Sequence, residues 1–486
     1  MPIGILQRAE ARRRQALEGL DSASQAAMGQ YFTPEAAAHI IASLPRLNDK
    51  GILHVLDPGA GNGILTAALV ERVLSETLVV KVEVVAVEMD DALQADLAMT
   101  LADCVASAAG RVSVQQVQED FIDYALNQAR SEFDLVIQNP PYKKLPAASD
   151  TNRKLTARGI DVPNIYAAFL SLGARLLDDG GQLVSITPRS FMNGGYYKRF
   201  REDFLGRLAI DSLFTFHSRS KVFGDTGVLQ EAIIVSATRG ATNAEVTIHS
   251  SVDHQNEVLT RRVPYSEVVT GRFIHVPATE RDAEAVTWIQ RATETLATLG
   301  VNVSTGRVVD FRSRDLLFAE RPRGGSPMVY PSNIRHNEVT HPSARSKATQ
   351  WFFSEAAHDA KLLVPAGIYV LVKRFSAKEE KRRLVAAVWT CDEASALDNK
   401  LNFLHIGGAG LDGVLAHGLA AWINSTQVDS FFRVFSGHTQ VNAGDIRGLP
   451  FPTRDELELL GAAIASTQAE IDQLMEQVLS PTGVAA

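Results

Sequence analysis

His54-Val55-Leu56-Asp57-Pro58-Gly59-Ala60-Gly61-Asn62-Gly63-Ile64 is the segment that decides the fold class. Its short apolar run, His54-Val55-Leu56, is cut off by Asp57-Pro58-Gly59, the pattern of a strand ending in a turn. Glycines at 59, 61 and 63 allow a tight turn and a close approach of a ligand to the backbone. A helix is expected over 64–74, and its first amides lack intrahelical acceptors. Downstream, 82–87 reads as a strand ending at Glu88, 91–108 as a helix, and 112–117 as a strand with Asp120 just beyond it. Residues 133–138 form a fourth strand, with Asn139 at its C-terminal end. The polar, basic stretch 143–160, punctuated by Gly and Pro, reads as a loop. A helix over 164–177 stops at Asp178-Asp179-Gly180-Gly181, and strands follow at 182–187, 209–216 and 231–238. This alternation predicts an α/β fold: a mixed, mostly parallel sheet with helices on both faces.

Upstream of that segment, residues 1–20 read as an amphipathic helix. Thr33 is placed to cap a helix that Pro34 opens and that runs to about 44. After about 240 the rhythm changes to short strand-like pieces (245–248, 362–372, 384–389) between long polar segments. The expected organisation is an N-terminal helix at 1–24, a catalytic domain at 25–240, an irregular α+β domain at 241–450, and a C-terminal helix and tail at 451–486.

Composition narrows the class. The chain has 486 residues, 45% hydrophobic and 21% charged, which is that of a globular protein with ample core material. No apolar run reaches the roughly 18 residues of a membrane helix, so no membrane partner is expected. Residues 1–30 lack a signal-peptide pattern. Two distant cysteines, Cys104 and Cys391, make neither a disulfide framework nor a Cys-rich metal site, and a reducing cytoplasm is the expected compartment. The histidines show no metal-ligand spacing, so no metal is expected. A net charge of −8 argues against nonspecific coating of nucleic acid, although not against a basic cleft. Basic residues gather at Lys143, Lys144, Arg153, Lys154 and Arg158, opposed only by Asp150, and again over 307–323.

The candidate chemistry falls at strand ends, where open α/β sheets bind ligands. A carboxylate at Glu88 can accept both hydroxyls of a ribose, and Asp120 can accept from an adenine amine. A nicotinamide cofactor also fits these features, though the glycine spacing is Gly-x-Gly-x-Gly rather than Gly-x-Gly-x-x-Gly. Asn139-Pro140-Pro141-Tyr142 decides between them. Two prolines remove two backbone donors, so the site offers acceptors: the Asn139 side-chain oxygen and the Pro140 carbonyl. Two acceptors hold the two hydrogens of an exocyclic amine, aim its lone pair at an electrophilic methyl carbon, and favour the positive charge that develops on nitrogen. Tyr142 offers a ring face to a planar substrate, and Phe223 a second ring. Such a site suits a base removed from the DNA stack, since a base amine is out of reach inside a duplex.

Over roughly 25–240 these motifs, in this order, resemble the gamma-class amino-methyltransferases that modify adenine N6 in DNA, the TaqI-like and Eco57I-type methylases of type II restriction–modification systems. The resemblance implies a Rossmann-like methyltransferase domain with S-adenosyl-L-methionine as cofactor. It assigns Tyr31, Thr33 and Pro34 to the methionine part, Asp57, Gly59, Gly61 and Gly63 to the cofactor loop, Glu88 to the ribose, and Asp120 with Phe121 to the adenine. It makes Asn139 to Tyr142 the catalytic motif and Phe223 the aromatic that packs on the flipped base. It further implies a target recognition domain after 240, with 306–337 and 435–442 as its readers, and double-stranded DNA as substrate. A cognate restriction endonuclease acting on the same site is implied as well, without a stable complex. An N4-cytosine enzyme shares this chemistry, but asparagine rather than serine before Pro-Pro-Tyr favours adenine. Methyltransferases of protein glutamine amides resemble this chain at the same four residues but lack the long segment after 240, and an RNA base amine is a further alternative substrate.

Overall fold

The computed structural model describes residues 4–19, 32–47, 51–76, 81–128, 132–216, 232–251, 258–271, 273–335, 337–376, 380–436, 440–463, 465 and 467–479. The chain divides into two compact units, Met1–Ala278 and Thr279–Ala486.

In the first unit the elements run α1 (Ile5–Gly19), α2 (Glu35–Ser43), β1 (Ile52–Pro58), α3 (Ile64–Ser75), β2 (Lys81–Val87), α4 (Gln94–Ser107), β3 (Val112–Val117), α5 (Phe121–Asn127), β4 (Phe133–Gln138), α6 (Asp150–Ala157), α7 (Ile165–Leu176), β5 (Leu177–Pro188), α8 (Lys198–Arg207), β6 (Leu208–Phe216), β7 (Ala232–Arg239), β8 (Glu245–Ser251) and β9 (Leu259–Pro264). Among the described residues the strands form one sheet in the order β3-β2-β1-β4-β5-β7-β6-β8-β9. β3, β2, β1, β4 and β5 are parallel, and β7 runs antiparallel between β5 and β6. The sheet is mixed and mostly parallel, as the sequence predicts.

Helices cover both faces, so the strands must be apolar on both sides. Val55, Leu135, Ile137, Val184 and Ile186 point into one core with α1, α2, α3 and α4. Their strand neighbours Leu56, Val136 and Leu183 point into the other, with α5, α7 and α8. Each such side chain contributes roughly 1.5–3 kcal/mol by leaving water. This alternation fixes the register, because a slip by one residue would exchange the two faces.

Topology places the site. From β1 the chain winds outward through β2 to β3, then crosses back to pair β4 with the free edge of β1, Val55 opposite Leu135 and Leu56 opposite Val136. Strand order therefore reverses between β1 and β4, and a crevice opens beyond their C-terminal ends. Those ends carry the glycine turn and Asn139.

Four expectations need correction. The sheet does not end near 240: Val246 and Ile248 of β8 are buried in its core, and β8 pairs with β6. The first unit accordingly runs to Ala278. Residues 150–157, expected as loop, form α6, because Ser149 accepts the Asn152 amide at 3.2 Å as an N-cap. Asp178-Asp179-Gly180-Gly181 does stop α7 but lies within β5, where the pairing jumps from Phe133–Leu177 to Leu135–Gln182 and the acidic turn bulges out. The single C-terminal helix expected within 451–486 is two helices, Arg454–Ala462 and Gln468–Val478, the second opened by a Thr467 capping box.

The second unit contains a six-stranded and a five-stranded sheet among its described residues. The central hairpin pairs Gly367–Lys373 with Ala386–Cys391. Helices Gly413–Ile423 and Arg454–Ala462 meet through glycine: a Cβ on Gly418 would lie 1.9 Å from the Leu457 carbonyl oxygen.

Candidate active site

A cavity of about 640 Å³ opens at the switch point, within the roughly 300–1,000 Å³ typical of small-molecule sites. The turn after β1, the ends of β2 and β3, and the segment after β4 all line it.

The turn is built as its glycines require. Gly59, Gly61 and Gly63 have φ of 68°, 59° and 82°, a region costly for other residues. A Cβ on Gly61 would meet nothing within 4 Å, so that position faces open space. The turn is pinned to the end of β2: the Gly59 and Ala60 amides donate to the Val87 carbonyl at 2.8 and 3.0 Å, and the Gly61 amide donates to Glu88 Oε2 at 2.8 Å. The Gly63 amide donates to the Ala60 carbonyl. From the N-terminal helix, the Ala9 carbonyl receives Asn62 Nδ2 at 2.8 Å. Glu10, which is ion-paired with the buried Arg13 at 2.7 Å, also accepts the Glu35 amide at 3.3 Å at the start of α2.

Glu88 lines the cavity, and its Oε1 accepts the Asp90 amide at 2.8 Å. Burial pushes its carboxyl above the usual range. The carboxylate keeps acceptor capacity for a ribose hydroxyl. Asp120 caps α5, Oδ1 taking the Ile122 amide at 2.7 Å. Beside it Phe121 lies 4.7 Å from the Phe169 ring, both on the cavity wall. Ribose acceptors next to an aromatic and apolar wall fit a nucleoside. A pyrophosphate fits poorly, because the amides of Gly59, Ala60, Gly61 and Gly63 are already donated within the protein and Glu88, Asp90, Glu119 and Asp120 make this end acidic.

Asn139 is gripped from two sides. Its Nδ2 donates to Thr33 Oγ1 at 3.0 Å, and the Tyr142 hydroxyl donates to its Oδ1 at 3.1 Å. That oxygen has a second lone pair.

Of the sequence-predicted residues, the structure brings Thr33, Gly59, Gly61, Glu88, Asp120, Phe121, Asn139 and Pro141 to the cavity. Pro34, Asp57, Gly63, Pro140 and Tyr142 do not line it. Asp57 sits behind the turn, fully buried, its Oδ2 accepting from Thr66 Oγ1 at 2.7 Å. Desolvation raises its pKa from the usual 3.8 to about 7. Thr33 is not a helix cap: Pro34 occupies that position without a side-chain bond, and the Thr33 hydroxyl serves Asn139 instead. Tyr142 packs against both cores rather than presenting its ring to the cavity. Tyr31 and Phe223 lie outside the described residues. Sequence reasoning missed Phe32, Met89 and Phe169 as cavity residues. Met89 could have been flagged, since it follows Glu88 at a strand end and is 61% exposed. Phe169 is one apolar residue among many in α7, with no distinguishing signal.

Fold and site together define an α/β methyltransferase whose methyl donor is S-adenosylmethionine. Residues 95–223 match the Eco57I restriction-modification methylase family. The chain is 36% identical over 482 residues to the type II methyltransferase M.BsuBI of Bacillus subtilis, covering 93% of this chain and 94% of that protein. It is 34% identical over 500 residues to the type II methyltransferase M.PstI of Providencia stuartii, covering 99% and 98%. Among solved structures, the type IIL restriction-modification enzyme MmeI in complex with DNA shares the fold at a TM-score of 0.57 and 11% identity, over 89% of this chain and 71% of that one. The chain belongs to the type II methyltransferases of the Eco57I restriction-modification methylase family. No helix among the described residues is long and apolar enough to cross a membrane.

Proposed function

We propose that this protein methylates N6 of an adenine extruded from double-stranded DNA at a specific sequence. The observation that carries the reading is the amide of Asn139 at the cavity wall, held in place by Nδ2 donating to Thr33 Oγ1 and by Oδ1 accepting from the Tyr142 hydroxyl. Bound S-adenosylmethionine supplies an electrophilic methyl carbon. Asn139 Oδ1 accepts one amine hydrogen; the Pro140 carbonyl, in the peptide bond to the cavity-lining Pro141, accepts the other, and together they orient the nitrogen lone pair. The same two oxygens stabilise the positive charge that grows on nitrogen, and the proton is then released to water. Glu88 and Asp120 hold the nucleoside of the donor, with Phe121 against its base. A base amine must leave the helical stack to reach such a cavity.

The second unit serves in this reading as the target recognition domain. Supporting it, the exposed Arg312 lies over the Phe311 ring at 5.4 Å; guanidinium groups suit base edges and phosphates. A cognate restriction endonuclease acting on the same sequence completes the system. Cys104 and Cys391 are both free and buried, which suits a cytoplasmic location. The test is labelled S-adenosylmethionine with duplex DNA, followed by nucleoside analysis. Label in N6-methyladenine is expected. Label in N4-methylcytosine, in RNA or in protein overturns the assignment.

A further inference from the structure

We propose that Lys143 and Lys144 hold the phosphates that flank the target nucleotide, an assignment that rests on the duplex-DNA reading above. The sequence shows five basic residues over 143–158 against Asp150 alone, and the structure sorts them. Lys154 Nζ lies 2.6 Å from Asp123 and 3.5 Å from Asp150. Arg153 reaches Asp150 at 3.3 Å. Those two charges serve α6. Lys143 and Lys144 line the cavity, are exposed, and carry no side-chain hydrogen bond or ion pair to any described residue.

Their backbone is nonetheless fixed. The Lys143 carbonyl accepts the Ile165 amide at 2.9 Å, and Lys144 bridges to Asn164 at the start of α7. The stems are therefore anchored while the ammonium groups stay free. The polarity of the cavity is divided. Its β2 and β3 side is acidic, and its cations follow directly on Tyr142, next to the acceptor Asn139. A nucleotide presenting its amine to Asn139 keeps a phosphate on each side of its sugar, in water at the mouth of the cavity. Two adjacent, solvated point charges on flexible stems suit that pair of anions. A single cofactor carboxylate inside the cavity would call for one enclosed donor instead. In a chain of net charge −8, a local cation pair also offsets the average repulsion of phosphate.

The experiment compares the full chain with Lys143→Ala, Lys144→Ala and the double variant. It measures duplex affinity across a salt series, single-turnover methylation at saturating duplex, and S-adenosylmethionine affinity. The log–log salt dependence should become shallower by about one unit per lysine removed. KM for the duplex should rise, while the saturated rate and cofactor affinity stay unchanged. Arginine at either position should restore the slope. An unchanged slope overturns the assignment, and so does a loss confined to cofactor affinity, which would give the lysines to the cofactor carboxylate. A wild-type chain that methylates no duplex sinks the functional reading and this one together; active wild type with unchanged variants sinks only this one.

Discussion

Thr33→Val tests how the acceptor is set. Thr33 is 3% exposed, and valine keeps its shape while removing the oxygen that receives Asn139 Nδ2 at 3.0 Å. Without it the amide has two outcomes. It stays in place with an unpaired N–H, or it turns and offers Nδ2 to a substrate amine that is itself a donor. An unpaired buried donor costs about 1–3 kcal/mol. Taking about 1–2 kcal/mol of that on the methyl-transfer step, at roughly 1.4 kcal/mol per tenfold, predicts a rate about 5–30 times lower. The assay is single-turnover transfer from labelled cofactor at saturating substrate, with cofactor affinity measured separately. Thr33→Ser should recover most of the rate, because the hydroxyl is retained. An unchanged rate in the valine variant would refute the reasoning. A loss seen only in cofactor affinity would refute it too, and would make Thr33 a cofactor contact.

Three further outcomes are expected. Asn139→Ala should lower transfer by about 10²–10³-fold, the usual loss for one charge-stabilising group, with cofactor binding intact under the proposal that gives the donor to the glycine turn and Glu88; loss of binding would show the role misassigned. Asp57 has a folded pKa of about 7 against the usual 3.8, so between those values the folded state binds the extra proton and stability falls as pH rises, levelling off above about 7. Asp57→Asn should remove this dependence and gain stability over wild type from pH 5 to pH 8, and a constant difference in melting temperature across that range would contradict it. Gly418→Ala places a methyl 1.9 Å from the Leu457 carbonyl oxygen and should destabilise the second unit by about 1–3 kcal/mol through overpacking; an unaltered denaturant midpoint would count against the packing described.

What the sequence made legible follows from the range of each interaction. Most of β1 to β7 were readable because they are local apolar runs bounded by turn signals, while β3, Val112–Val117, showed only apolar and polar residues interleaved. The glycine turn was readable because positive φ leaves a compositional trace. β8 was recognised as a strand, but its partner was not: Glu245–Ser251 joins β6, and nothing local says so. α6 was hidden because its residues are mostly polar, with Leu155 its buried apolar side chain, so periodicity had little to register. Its cap, Ser149, was the available clue. Asp57 shows the limit at the site itself. Its place at a strand end suggested a ligand contact, but only the structure shows its carboxylate turned toward Thr66 in α3.

The same limit applies to the acceptor. Asn139-Pro140-Pro141-Tyr142 announces the chemistry in four consecutive residues, yet the partner that sets the amide lies 106 positions away. Tyr142 completes the grip from the other side, and it packs against both cores of the sheet. Asn139 is therefore held at the boundary between two hydrophobic layers, by one group from each flank. An amide is nearly symmetric in shape, and without such partners its oxygen and nitrogen would exchange at little cost. The motif supplies the amide; which of its atoms meets which neighbour is set by tertiary structure, Nδ2 by Thr33 and Oδ1 by Tyr142. That division explains why the motif alone is compatible with several amine or amide substrates, while the turn, Glu88 and Asp120, proposed above as the donor's binding residues, stand on a separately braced part of the sheet.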